Sequence, residues 1–207
     1  MLEGVTWFRQ SSVRIRRGGV EIHIDPWGIP EESKADYILL THPHYDNFSE
    51  DDIARVRGRE TKLVAPASMR KQLDDVDHLM RPGDMVHLDG IEILAVPAYN
   101  EDKKFHPPEN EWLGYVFTLE GITYYHSGDT DFLEAMNQIR CDVAFLPCEG
   151  HYTMGPEDTV RAAIACHARV VVPVHWGGGN DNTRANAERV KEMSDGEVVL
   201  LEQGMPS

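Results

Sequence analysis

The 207 residues include 35 acidic and 20 basic side chains, a formal charge of -15, and 41% of them are hydrophobic. A chain of this length and hydrophobicity can bury a substantial core, and one domain over residues 1–207 is expected. The acidity works against nucleic acid and anionic membrane surfaces as partners. No run of about 18 apolar residues offers a membrane span, and Met1-Leu2-Glu3-Gly4 lacks the charged-then-apolar layout of a secretory signal, so a cytoplasmic protein is expected.

Along the chain, residues 13–25 alternate apolar and polar side chains on either side of Gly18-Gly19, the pattern of a β-hairpin. Pro26 ends its second strand, because proline cannot donate to the ladder. The apolar run Tyr37-Ile38-Leu39-Leu40 predicts a buried strand that leads directly into Thr41-His42-Pro43-His44-Tyr45-Asp46-Asn47. Ser49, with acidic residues behind it, caps a short helix, Lys62-Leu63-Val64-Ala65 reads as a strand, and Pro66-Ala67-Ser68 opens another short helix. Two strand-like runs within 85–97 flank an Asp89-Gly90 turn. Residues 98–111 are polar and hold two adjacent prolines; a loop of roughly a dozen residues in a compact domain is usually functional. Glu120-Gly121 joins strands at 115–119 and 122–125. Further strands are expected at 143–146, 170–174 and 198–200, separated by helices beginning near Pro156 and Asn182. No linker, low-complexity segment or internal repeat divides the chain. Both halves run strands first and helices later, which predicts a two-sheet core with helices on its outer faces rather than a doubly wound parallel sheet.

The chemistry begins at 42, 44 and 46. In extended backbone residues i and i+2 point the same way, so His42 and His44 can converge on one ion, and Asp46 continues the alternation. A single histidine is as a rule an ordinary surface or core residue; three ligand types at this spacing mark a candidate metal site. Further donors are sought at strand ends, where a rigid scaffold presents loops. Asp129 follows Ser127-Gly128, although a helix N-cap would explain it equally well. His175 ends the strand at 170–174, ahead of Gly177-Gly178-Gly179, which reads as a flexible turn. His106 lies on the long loop, His151 follows Cys148-Glu149-Gly150, and His126 is close enough to Asp129 either to reach the ion or to brace its neighbours. His23, His78, His87 and His167 fall in strand or helix bodies and read as structural or solvated.

Cys141, Cys148 and Cys166 form no C-x-x-C pair, which argues against a disulfide framework or thiolate zinc finger and for small buried hydrophobes. A nucleophilic pair of Cys148 and His151 would need a depressed thiol pKa. No G-x-S-x-G elbow, His-Glu-x-x-His helix or Walker A sequence is present.

Taken together and in order, Ile24-Asp25-Pro26-Trp27, the segment 41–46, Ser127-Gly128-Asp129-Thr130 and Val174-His175-Trp176 resemble the motifs of the metallo-β-lactamase superfamily. Val96-Pro97-Ala98-Tyr99-Asn100, Phe105-His106-Pro107 and Thr153-Met154-Gly155-Pro156-Glu157-Asp158 are similar to its ascorbate-6-phosphate lactonase-like branch of small hydrolases. The resemblance covers nearly the whole chain and implies an α/β (α+β) fold, a four-layer αβ/βα sandwich with a metal site at one edge between the sheets. It implies that His42 and His44 bind one ion with a histidine of the middle loop, taken as His106, with His126 and His151 as alternatives. Asp46 would serve a second position, Asp129 would bridge, and His175 would complete the second site. Asp25 would brace the histidine loop. The implied cofactor is zinc, one or two Zn2+ per chain, with Mn2+ or Fe2+ as alternatives. The implied reaction is hydrolysis of a small-molecule ester, lactone, phosphodiester or amide by metal-activated water. Asp46 would orient that water and take its proton, and His175 would hold the second ion or stabilise developing charge.

The family motif normally continues with histidine after the aspartate, and this chain has Asn47, whose amide oxygen is a poorer zinc ligand than imidazole. One ion, two ions of a harder metal, or a site that no longer hydrolyses anything are the three outcomes left open, with His151 as a residue to replace what Asn47 lacks. A non-catalytic metal- or ligand-binding protein is the alternative to the hydrolase. A small-molecule substrate is the expected partner, and homo-oligomer formation stays open.

Overall fold

The computed structural model of the protein describes residues 1–30, 33–177 and 183–205. The first sheet contains, in spatial as in chain order, β1 (Val5–Trp7), β2 (Val13–Arg17), β3 (Val20–Ile24), β4 (Ala35–Leu39), β5 (Arg57–Pro66) and β6 (His78–Met80). The second contains β7 (Met85–Leu88), β8 (Ile91–Pro97), β9 (Leu113–Leu119), β10 (Ile122–His126), β11 (Val143–Pro147), β12 (Val170–Val174) and β13 (Glu197–Val198), again in unbroken order. Each sheet starts antiparallel and turns parallel, at β3–β4 in the first and at β10–β11 in the second. Loops leaving the parallel strands therefore emerge at one edge of each sheet, where open α/β sheets commonly place their chemistry.

Side-chain alternation separates the layers. On β4, Tyr37 and Leu39 enter the large cluster between the sheets, whereas Ile38 and the following Leu40 point into a smaller outer cluster with Ile53, Val56 and Met69. That outer cluster lies under α1 (Glu50–Val56) and a 3-10 turn at Ala67–Lys71. Over the second sheet lie α2 (Pro156–Ala165) and α3 (Arg184–Met193), whose Ala162, Ala163, Ala187 and Val190 join the main core. The result is the expected four-layer αβ/βα sandwich. The expected cap is present, with Asp52 N–H donating to Ser49 Oγ at 3.2 Å. The Asp89-Gly90 turn takes positive φ at both positions, as a two-residue hairpin of this type requires.

Several elements differ from the reading of the sequence. β1 and β6 are three-residue strands too short to show a period, and His78 falls at the start of β6. β5 is ten residues long rather than four, because its first half is exposed and rich in charge and so does not look like a strand. The helix expected after Pro66 is a 3-10 turn, and β13 covers Glu197–Val198 instead of 198–200. Helix α3 starts at Arg184; Gly178, Gly179 and Asn182, to which a turn and a helix start were assigned, lie outside the described residues. Among the described residues no helix is long and apolar enough to cross a membrane.

Two hydrogen bonds couple the sheets beside the histidine loop: Tyr115 Oη of β9 donates to Leu40 O at 2.5 Å, and Leu113 N–H donates to Thr41 O at 3.1 Å. Trp7 and Trp176 stack at 4.6 Å, tying β1 to the end of β12. Tyr115→Phe removes a fully buried donor and is expected to cost about 1–3 kcal/mol, read as a lower urea midpoint with unchanged slope; an unchanged midpoint would refute the coupling assigned to this bond.

Candidate metal centre

Asp25 follows β3 with φ of +45°, in the left-handed region, and its N–H still pairs with Leu39 O at 3.0 Å. This turn brings a fully buried carboxylate under the next loop. It accepts from Thr41 N–H at 2.7 Å, from Thr41 Oγ1 at 2.5 Å and from Asn47 Nδ2 at 3.3 Å. Burial pushes the Asp25 pKa up to about 8, against the pull of the Thr41 bonds. With Asp25 as the carboxylate, the Thr41 hydroxyl donates to it and can only accept from His42 Nδ1, 2.8 Å away. The proton of His42 is thereby fixed on Nδ1, and its Nε2 lone pair, buried and without a hydrogen-bond partner, faces the site.

The long loop treats His106 in the same way. Asn100 Oδ1 accepts from both His106 N–H and His106 Nδ1 at 3.0 Å, while Asn100 Nδ2 donates to Tyr152 O at 3.1 Å. An amide oxygen only accepts, so the His106 proton is on Nδ1, and its Nε2 is a second buried, unpartnered lone pair. Buried Trp112 packs on His42, His44 and His106 with ring centroids 4.8–5.5 Å away and forms an apolar wall behind the cluster.

Ligand atoms of His42, His44 and His106 lie within 4.8 Å of one another. Asp129 joins them through the Gly128 turn, whose φ is +64°. A Cβ on Gly128 would stand 2.7 Å from Leu113 O, so the close approach needs glycine. Ser11 Oγ donates to Asp129 Oδ1 at 2.7 Å, leaving Oδ2 at 3.5 Å from His42 Nε2, 3.7 Å from His106 Nε2 and 3.1 Å from His175 Nε2. Tetrahedral donors around a zinc ion stand about 3.4 Å apart. Two unprotonated lone pairs and a carboxylate oxygen at that spacing fit a divalent transition ion.

Electrostatics agree. Burial holds the His42 pKa down at about 3 and lowers that of His44, so both imidazoles are neutral donors at pH 7. Asp129 is fully buried, which opposes its charge, yet His175 beside it holds it well below the usual carboxylate range. His175, at φ of +54°, is fixed by its N–H bond to Gln10 O at 2.8 Å. Its burial disfavours the charged form, but Asp129, with Asp46 beyond it at 3.8 Å, outweighs that and holds the pKa up at about 9. Asp46 itself is oriented by Gln10 Nε2 at 3.2 Å. Strained residues at strand ends, here Asp25 and His175, are typical of positions that a site over-determines.

His42, His44, Asp46, His106, Asp129 and His175 therefore come together at one sheet edge, and all but His42 line a cavity of about 190 Å³ with Tyr45, Phe105 and Tyr152. The other histidine candidates do not join them. His126 spends both ring nitrogens behind the site, Nε2 on Ser11 O at 2.8 Å and Nδ1 accepting from Gly128 N–H at 3.1 Å. His151 is exposed and packs on Phe105 and Tyr152, so it does not stand in for the histidine missing at 47. Asn47 is fully buried, turned toward Asp25, and does not line the cavity. Asp129 is no helix cap, since the next helical turn starts only at Glu134. Cys148 lies outside the cavity lining, and burial pushes its thiol up, which removes the Cys148–His151 pair. Gln10, Ser11 and Trp112 were not singled out in the sequence; Gln10 and Ser11 fall in the short turn before β2, where no periodicity marks them.

Residues 4–175 match the family model of the beta-lactamase superfamily domain. The chain is 33% identical over 186 residues to a UPF0173 metal-dependent hydrolase of Thermococcus kodakarensis, covering 84% of this chain and 82% of that protein. It is 35% identical over 196 residues to a UPF0173 metal-dependent hydrolase of Geobacillus sp., covering 83% and 84%. Among solved structures it resembles Igni18, a metallo hydrolase from Ignicoccus hospitalis, with a TM-score of 0.79, 25% identity and coverage of 97% and 95%. Asn100→Ala leaves His106 free to rotate and is expected to weaken zinc binding about 10- to 100-fold in a competitive chelator titration with the fold intact; unchanged affinity would remove Asn100 from the site.

Proposed function

The chain belongs to the metallo-β-lactamase superfamily, and on that premise we propose that it is a metal-dependent hydrolase acting on a small-molecule ester, lactone, phosphodiester or amide. The observation that carries this reading is the pair of buried, unpartnered Nε2 atoms of His42 and His106 facing Asp129 Oδ2 beside His44. These four residues would hold the ion, with zinc as the favoured metal and Mn2+ or Fe2+ as alternatives. A divalent ion there would supply Lewis acidity and bring the pKa of water down to about 7.

The remaining work falls to the chain's own groups. Asp46 lines the cavity, and Gln10 pins its Oδ2, which leaves Oδ1 to accept a proton from the attacking water. His175 Nε2 stands between Asp46 and Asp129, placed to hold a second ion or to donate to an oxygen on which charge develops. Asn47 bears on the ion count. Its side chain is turned to Asp25, so among the described residues the second position keeps Asp46, Asp129 and His175 without a fourth protein ligand, and we take one tightly held ion as the working state.

Elemental analysis of protein purified without chelators is expected to give one ion per chain, and His42→Ala to lose metal and turnover together. Two tight ions would overturn the mononuclear assignment. Asp46→Asn is expected to keep the metal and lose about 10²–10⁴ in kcat, and a wild-type rate would remove Asp46 as the base. Asn47 also favours a second reading, a binding protein that kept the ion and lost the reaction. Full metal occupancy without turnover on an ester, lactone, phosphodiester and amide panel would select it.

A further inference from the structure

Among the described residues eight large hydrophobic side chains are exposed, and three of them, Tyr45, Phe105 and Tyr152, line the single cavity above the metal centre. They arrive from three separate segments: the loop after β4, the loop 98–111 and the connection between β11 and α2. Phe105 and Tyr152 meet edge to face at 4.6 Å, and His151 closes the group at 4.5 Å from Tyr152 and 5.5 Å from Phe105. The backbone at Tyr152 is fixed, because Tyr152 N–H donates to Glu149 Oε2 at 2.8 Å and Tyr152 O accepts from Asn100. Tyr45 is 84% exposed at the cavity lining, and a ligand that covered its ring would remove apolar surface from water.

The charge of the lining points the same way. Among the described residues no lysine or arginine lines the cavity; its charged groups, Asp46, Asp129 and His175, stand together at the ligand end. Lys103 is committed to Asp131 and to Thr153 O, and Lys104 lies outside the lining. A negatively charged substituent on the far side of the ring, away from the ion, would normally be met by a guanidinium or an ammonium, and the lining offers neither among the described residues. The cavity of about 190 Å³ sets the size: apolar cavities of about 150 Å³ take up benzene, so one ring fits beside the reacting group.

We propose that Tyr45, Phe105 and Tyr152 form the specificity rim of this site and bind a flat, uncharged group of about one aromatic ring, attached to the bond that is cleaved. The substrate class is then a neutral ester, lactone or amide carrying an aryl or similar ring. The cleaved bond rests on the hydrolase reading above, while the rim's preference for a ring rests on the cavity alone.

Calorimetric titration of the zinc-loaded protein tests it with three ligands that share one chelating head: acetohydroxamate, benzohydroxamate and 4-carboxybenzohydroxamate. Benzohydroxamate should bind about 10- to 100-fold tighter than acetohydroxamate, and the added carboxylate should cost at least about 10-fold. Tyr45→Ala and Phe105→Ala should each weaken benzohydroxamate about 3- to 10-fold more than acetohydroxamate, whereas Tyr152→Phe, which keeps the ring, should retain the preference. Tyr45 is so exposed that its truncation leaves the fold untouched even where Phe105→Ala does not. Equal affinities, a variant loss spread evenly over both ligands, tighter binding of the carboxylate or no binding of any hydroxamate would overturn the proposal. Turnover separates it from the hydrolase reading: ring-selective binding without hydrolysis of any ester or lactone sinks that reading and leaves the rim, and hydrolysis without ring preference does the reverse.

Discussion

The carboxylate of Asp25 is fully buried at the end of β3, and burying it is tolerable only because three donors converge on it from the loop that follows β4. That requirement sets the histidine loop. Thr41 must place its amide and hydroxyl against Asp25, and once it does, the hydroxyl has only acceptor capacity left for His42 Nδ1. One buried acceptor thus determines where the loop turns, which tautomer His42 adopts and which nitrogen it presents. The left-handed backbone at Asp25 is the local strain that this arrangement carries.

The other half of the centre comes from the second sheet. His42, His44 and Asp46 leave β4, while His106 precedes β9, Asp129 follows β10 and His175 follows β12. No sheet alone assembles the candidate donors, so the site exists only when the two are packed, and the bonds from Tyr115 to Leu40 and from Leu113 to Thr41 lock that packing within two residues of His42. Ser11 adds a third tie, reaching from the turn before β2 to Asp129. His42, His106, Asp46 and Asp129 are each held from behind by a hydrogen bond, with Thr41, Asn100, Gln10 and Ser11 respectively. A centre built in this way is preorganised, which is what metal affinity and reaction geometry both require.

Much of this was legible along the chain, for reasons that can be named. Alternation in extended backbone puts 42, 44 and 46 on one side without knowledge of the fold, and a histidine or aspartate closing an apolar strand, as at 175 and near 129, is a local signal. The loop 98–111 announced itself by length and composition, although nothing local could separate His106 from His126 or His151. Asn100 and Ser11 made that choice, the first by taking the Nδ1 proton of His106 and the second by occupying His126 through its own carbonyl. Ser11 and Asp129 are 118 positions apart, and such a pair has no signature in one sequence. Strands β1 and β6 escaped for a simpler reason, since three residues are too few to show a period. The aromatic rim was invisible as well, because Tyr45, Phe105 and Tyr152 become neighbours only through the sandwich.

The central claim is that one divalent ion sits between the sheets on a ligand set drawn from both. Anomalous diffraction from crystals of the zinc-loaded protein, collected on both sides of the zinc absorption edge, tests it most directly. One strong peak is expected about 2.0–2.2 Å from His42 Nε2, His106 Nε2 and Asp129 Oδ2, with His44 as the fourth donor. A peak elsewhere, at His78 or His87 for instance, or no peak from fully loaded protein, would contradict the account.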